Sequence, residues 1–304
     1  MKIYSRLGGQ AGIILSSLVF CVTCSCDPSP DPGVEDQDQF EITPEKSAIA
    51  PGIIDEASGL APSANMPGYL WTIQDSGKPN SLYLISKDGT SVKEYNVPGS
   101  SNRDWEDVAV GPGPDNGASY IYIGDIGNNN ASAGTSTIYR VPEIAGTDGA
   151  FKQEAVQKIN FSYPDGPRDA ESLILDPVTK DIFIISKENQ NTGIYRLPFP
   201  QSVSETMTAE KIGTVPGVAM ATGGSISNDG SEILIRTYLA VSYWKRNNGE
   251  TVGQTLTKSA NKVLVVALEP QGESVCFDAE RKGFYTLSEK SNAASVNLNY
   301  YKRK

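Results

Sequence analysis

Arg168-Asp169-Ala170-Glu171-Ser172 sets a guanidinium and two carboxylates directly before the apolar run Leu173-Ile174-Leu175. Related phrases precede four other short apolar stretches: Glu56-Ala57-Ser58-Gly59-Leu60-Ala61, Arg103-Asp104-Trp105-Glu106-Asp107-Val108, Thr222-Gly223-Gly224-Ser225-Ile226 and Gly272-Glu273-Ser274-Val275-Cys276. Aligned on one register, they bring Ser58, Glu106, Glu171, Gly223 and Glu273 into correspondence, at steps of 48, 65, 52 and 50 residues. If the fold makes these positions converge, three glutamates repel one another unless they are protonated, paired or neutralised by a cation. Two outcomes satisfy them: a hard, oxygen-seeking ion such as calcium, or pairing with Arg103, Arg168, Arg236 and backbone amides. The chain has no histidine, which removes the usual ligand set of zinc as well as Ser-His-Asp and Cys-His nucleophile systems. It also lacks a Walker or dinucleotide-binding glycine motif.

A repeat near 40 to 50 residues is the period of a β-propeller blade. Each repeat reads as four strands running outward from the axis. They are 58–62, 69–74, 81–86 and 91–97 in blade one; 107–110, 120–124, 136–141 and 157–163 in blade two; 172–175, 181–186, 193–197 and 210–215 in blade three. Blade four continues from its repeat start through 232–237, 241–245 and 262–268, and blade five has 274–277, 283–287 and 295–301. Blade five is therefore one strand short, and the unpartnered stretch Phe40–Lys46 is expected to supply it, burying an otherwise open edge. The fold class is all-β: a five-bladed propeller with four-stranded antiparallel blades, closed by an N-terminal strand. The alternative of six blades requires a further repeat start, and the longest interval, Glu106 to Glu171, holds loop residues only.

In such blades the loops leading into first strands share a face with those joining second to third strands. That top face gathers Asp75, Arg103, Asp104, Asp125, Asn128, Arg168, Asp169, Lys187, Glu188, Arg236, Tyr238, Glu289 and Lys290 as ligand-binding candidates. Asp75, Asp125 and Glu188 are the candidates for activating water in a hydrolase. The competing reading of the same residues is a girdle of ion pairs linking blades.

These residues carry a resemblance. The order Ser58, Glu106, Glu171, small residue, Glu273 around five blades resembles the SdiA-regulated-type bacterial propellers and, more distantly, the calcium-activated nucleotidases or apyrases. The phrases Leu70-Trp71-Thr72-Ile73-Gln74-Asp75-Ser76-Gly77, Asp104-Trp105-Glu106-Asp107, Ile123-Gly124-Asp125-Ile126-Gly127-Asn128-Asn129, Asp169-Ala170-Glu171-Ser172 and Ile235-Arg236-Thr237-Tyr238 resemble still more closely a group of uncharacterised secreted bacterial propellers. The resemblance runs from Ile54 to Tyr301. It implies an axial calcium with Ser58, Glu106, Glu171 and Glu273 as ligands. Blade four departs from the pattern, because Gly223 has no side chain and only its carbonyl, or neighbouring Thr222, could contribute there.

Ahead of the propeller, Lys2 and Arg6 precede the apolar run Ala11–Phe20, which is too short to span a bilayer and is placed as an export signal's core would be. Cys21, Cys24 and Cys26 crowd its end, as at the lipid-attachment site of a bacterial lipoprotein. The expected organisation is residues 1–26 as lipoprotein signal with Cys26 as the lipidated residue, 27–39 as an acidic, proline-rich tether, and 40–304 as one propeller domain. Cys24 is the alternative site. Cys276 is then the sole cysteine of the domain, alternating with Val275 and Phe277 as core does, so no internal disulfide forms. The expected location is the bacterial cell envelope, as an outer-membrane lipoprotein facing the periplasm or the surface. The formal charge of −10, about −12 without Lys2 and Arg6, argues against nucleic acid or anionic lipid as a partner. The expected partners are a small molecule, a glycan or a protein on the top face, the membrane being reached only through the anchor, with the propeller itself monomeric. Two functions are carried forward: a binding propeller, and a calcium-dependent hydrolase of phosphoanhydrides, phosphoesters or lactones.

Overall fold

A computed structural model describes residues 39–50 and 52–304. The signal segment, the Cys26 and Cys24 lipidation sites and nearly all of the 27–39 tether lie outside the described residues.

Within them the chain is a ring of five sheets. Blade one comprises Ala57–Pro62, Tyr69–Gln74, Ser81–Ser86 and Val92–Asn96. Blade two comprises Trp105–Pro112, Ser119–Asp125, Ser136–Pro142 and Gln157–Ser162. Blade three comprises Ala170–Leu175, Ile182–Ser186, Gly193–Leu197 and Glu210–Thr214. Blade four comprises Ala221–Ile226, Glu232–Thr237, Ala240–Lys245 and Lys262–Val265. Blade five comprises Gln271–Phe277, Gly283–Glu289 and Asn297–Lys302, and Glu45–Ala48 pairs antiparallel with the last of these. The N-terminal closure is thus present, but its ladder begins five residues later than the sequence suggests. Pro44 has no N–H to donate, and the chain bends at Ile42 and Thr43, so Phe40 makes only an isolated bridge to Arg303 before the ladder starts.

The core explains why five blades suffice. Buried apolar side chains fall into five clusters, one at each junction between adjacent blades. Alternation along a strand sends successive residues to the two neighbouring junctions. Leu173 and Leu175 accordingly join the cluster toward blade two, while Ile174 joins the one toward blade four. Strands buried on both faces read as continuous apolar runs, which is what Leu82–Ile85 and Ile182–Ile185 are. Two elements are additional to the repeat. Met207–Thr208 adds a short parallel strand to the outer edge of blade two. Val252–Leu256 forms a helix, with Thr251 and Gln254 making a reciprocal capping box, and buries Val252 and Leu256 in the cluster between blades three and four.

Candidate functional site

The five inner strands share a local irregularity that aims the site. Each pairs with its neighbour through a β-bulge, at Gly59, Glu106, Glu171, Thr222 and Glu273. A bulge inserts one unpaired residue and re-aims its side chain. Blade one carries its bulge one residue late. Glycine is required at 59 on two counts, since φ is +72 there and a Cβ would lie 2.6 Å from Val108 N.

Four bulges directly follow Trp105, Ala170, Ala221 and Gly272, which pair with Asp125, Ser186, Thr237 and Ser288, and the corresponding pair in blade one is Ala57 with Gln74, two residues before its bulge. The common register is therefore Ser58, Glu106, Glu171, Thr222 and Glu273. Gly223 stands one residue beyond it, which corrects the alignment of blade four. The glycine is required for another reason, since a Cβ at 223 would come 2.3 Å from Glu273 O on the adjacent inner strand. Both hydroxyls of the ring are tied across blades, Ser58 Oγ donating to Glu106 O at 2.5 Å and Thr222 Oγ1 to Gly272 O at 3.0 Å.

Glu106, Glu171 and Glu273 are only 3%, 4% and 4% exposed. Glu106 takes part in two acidic triads, one with Asp75 and Asp104 and one with Asp169 and Glu171, each with ligand oxygens within 4.8 Å of one another. Asp104 and Asp169 come from the loops leading into first strands, and Asp75 from the second-to-third loop of blade one. Burial, reinforced by Glu171 and Asp75, pushes the Glu106 pKa well above the usual carboxylate range. Burial also pushes Glu171 up to about 8 against the opposing pull of Lys187, and raises Asp104 to about 6 with help from Asp75. Lys187 pairs with Glu171 and lies 5.2 Å from the Tyr238 ring centroid. Glu273 stands apart from both triads. Gln271 Nε2 donates to it at 2.9 Å, and its pKa rises to about 7 from burial and Glu171, while that of neighbouring Glu289 rises to about 9 from burial and Glu273.

Three observations fit this cluster to a metal ion. Its donors are all oxygens. Glu171 Oε2 is buried without a hydrogen-bond partner among the described residues. Gly127 leaves the space the cluster occupies, for a Cβ there would lie 2.1 Å from Glu106 Oε1 and 2.5 Å from Asp104 Oδ2.

Several other sequence candidates are committed to each other. Arg103 holds the carbonyls of Gly127 and Asp125 at 2.7 and 2.9 Å, and Asp125 accepts from Asp104 N at 2.8 Å. Asn128 N donates to Asp169 Oδ1 at 2.8 Å. Arg168 pairs with Asp165 and Glu188, and Lys290 with Asp55. Of the three water-activating candidates, only Asp75 belongs to the acidic cluster. Arg236 is not on the top surface: it is 0% exposed, paired with Glu269 and donating to Ser274 O at 3.2 Å, because the end of its strand is covered by the linker between blades four and five.

Sequence reasoning gave no role to Asp107, whose carboxylate accepts from Val108 N, Leu173 N and Gly224 N at 2.8, 2.8 and 3.0 Å. The opposite, bottom face of the ring has a feature of its own. An apolar groove of about 470 Å³ lies there between Pro62, Tyr69, Lys87, Pro112 and Pro177.

Strand order and axial cluster together define a five-bladed propeller with an acidic centre on its top face. No family model and no curated protein matches the chain. Among solved structures, the calcium-binding protein regucalcin from Agrobacterium tumefaciens str. C58 is similar at 10% identity over 86% of this chain and 96% of its own, with a TM-score of 0.49. Luciferin-regenerating enzyme is similar at 16% identity over 82% and 78%, with a TM-score of 0.43. A chain of a nidogen/laminin complex is similar at 13% identity over 78% and 73%, with a TM-score of 0.46.

Proposed function

We propose that this chain is a lipid-anchored propeller of the bacterial cell envelope that holds a calcium ion in its axial cluster and binds a small polar ligand, glycan or protein segment on the top face. The observation that carries the cation is the sharing of Glu106 between two buried acidic triads, with Glu171 Oε2 left unpartnered. Glu106, Glu171, Asp75, Asp104 and Asp169 would hold the ion, with Ser58, Thr222 and Glu273 completing the ring. When bound, calcium supplies the positive charge that lets these acids ionise together and a Lewis-acidic centre for a ligand's oxygen. Around it, Lys187 and Tyr238 fix one wall and Arg103 and Asn128 another.

Calorimetric titration with calcium tests this directly. Binding should raise stability by about 2.7 kcal/mol at a hundredfold excess over Kd. Glu106→Gln should weaken affinity at least about tenfold, a change of roughly 1.4 kcal/mol, while preserving the fold. Demonstrably metal-free protein with the same melting temperature in chelator and in millimolar calcium would refute the cation.

A calcium-dependent hydrolase is the second reading, and one observation favours it. Asp75, alone among the three water-activating candidates, lies in the acidic cluster, where it would stand beside a bound ion and could take a proton from water. The anchor is tested separately. Membrane-extracted protein should begin at an acylated Cys26, and Cys26→Ala should move it to the soluble fraction; release by Cys24→Ala alone would reassign the site.

A further inference from the structure

Lys187 stands in the second-to-third loop of blade three with its side chain only 11% exposed, and it is held at both ends. Its backbone N–H donates to Asp169 O at 2.9 Å, which ties the root of the side chain to one acid of the axial cluster. Its ammonium pairs with Glu171, a second acid of that cluster, and sits 5.2 Å from the centroid of the Tyr238 ring, brought in from blade four. Arg103, whose charge also reaches Asp104, is by contrast occupied by the carbonyls of Gly127 and Asp125 and by the Asp125 carboxylate at 3.6 Å.

An ammonium in this position does part of a metal ion's work. It supplies positive charge, from within the chain, to a buried carboxylate that otherwise faces other acids. Glu171 nevertheless keeps Oε2 without a hydrogen-bond partner among the described residues, so the carboxylate has a second oxygen to offer. A cation bound there shares one carboxylate with the ammonium, and the two positive charges repel at close range in a site with little water to screen them. Lys187 offsets one of the five carboxylates of the two triads, Asp75, Asp104, Glu106, Asp169 and Glu171. The cluster therefore stays strongly negative and still attracts a divalent ion, but less tightly than the acids alone would hold it.

We propose that Lys187 is a built-in counter-cation that makes the axial ion exchangeable: it steadies the cluster when calcium is absent and lowers calcium affinity, so that the site fills and empties with the surrounding concentration while the propeller stays folded. The proposal deepens the cation reading and rests on it. Tyr238 is a positioning residue in this scheme, because its ring holds the ammonium against Glu171 rather than in solvent. Without the ammonium, folding would bring five acids together with nothing in the chain to offset Glu171, and ion binding would become tied to folding itself.

The test measures calcium affinity of the full chain by competition with a chelator of known affinity, starting from calcium-loaded protein, so that a variant needing the ion to fold is still read. Lys187→Met should hold calcium at least about tenfold more tightly than the parent. In excess chelator the same variant should melt lower than the parent, with calcium closing the gap. Lys187→Arg keeps the charge and should stay near the parent's affinity, which a role in shape alone would not produce. Tyr238→Leu, which leaves the ammonium present but less firmly seated, should tighten binding about two- to fivefold. Parent-like or weaker affinity in Lys187→Met, with the parent binding calcium, overturns the counter-cation and leaves the cation reading intact. No calcium binding by either the parent or Lys187→Met overturns both, whereas binding by Lys187→Met alone supports the counter-cation, the ammonium then excluding the ion.

Discussion

Glu106 and Asp107 are neighbours in sequence with opposite surroundings. Asp107 meets three backbone N–H donors, whereas Glu106, the bulged residue itself, meets other acids. Proton linkage follows from the acids. Burial raises Glu171 to about 8 and Glu273 to about 7, above the ordinary value of 4.5, so the folded state binds protons more tightly than the unfolded one. Their contribution is fully present below about pH 4.5 and is lost as pH rises through about 7 to 8. In chelator, the melting temperature should therefore fall between pH 5 and pH 9, and saturating calcium should remove most of that fall; a flat metal-free profile would contradict the burial of these groups. The glutamates were legible because acids directly before apolar strands are conspicuous. Thr222 was legible only as an alternative to Gly223, since two glycines follow it and nothing in the local sequence marks a slip of one residue. Arg236 misled for a related reason: its partner Glu269 lies in a linker 33 residues away whose path no periodicity reports.

At the level of elements, the inner strands are held to one another by side chains as well as by packing. Asp107 of blade two accepts amides from its own strand and from the inner strands of blades three and four, making it a staple across the channel. Asp107→Ala should strand three buried donors and cost about 3 kcal/mol or more, with Asp107→Asn intermediate because one acceptor oxygen survives; chemical denaturation would measure both. Strands were the most readable elements. Tyr69–Gln74, Ser81–Ser86, Gly193–Leu197 and Glu232–Thr237 follow the sequence reading residue for residue, since each is a run buried at two junctions and bounded by turns. The helix at Val252–Leu256 is too short for a 3.6-residue period, although Thr251 and Gln254 carry a capping signature. The parallel strand at Met207–Thr208 has two residues and no pattern of its own.

For the whole molecule, closure is the defining feature: Glu45–Ala48 completes a sheet whose other three strands come from the far end of the described chain. Gln39 and Lys304 consequently meet, Lys304 N donating to Gln39 O at 2.9 Å. This geometry has a kinetic meaning. On a ribosome, Glu45–Ala48 emerges first and waits for Asn297–Lys302, so four blades can form before the ring is able to shut. Contacts this remote in sequence slow folding far more than they reduce final stability, because loop-closure entropy grows only with the logarithm of length. A circular permutant joining Lys304 to Gln39 through a short glycine linker and opened between Gly146 and Thr147 turns the latest pairing into a neighbouring hairpin. Stopped-flow refolding should show it reaching the native state faster than the parent chain at nearly the same denaturation midpoint, and equal rates would mean that ring closure is not the slow step.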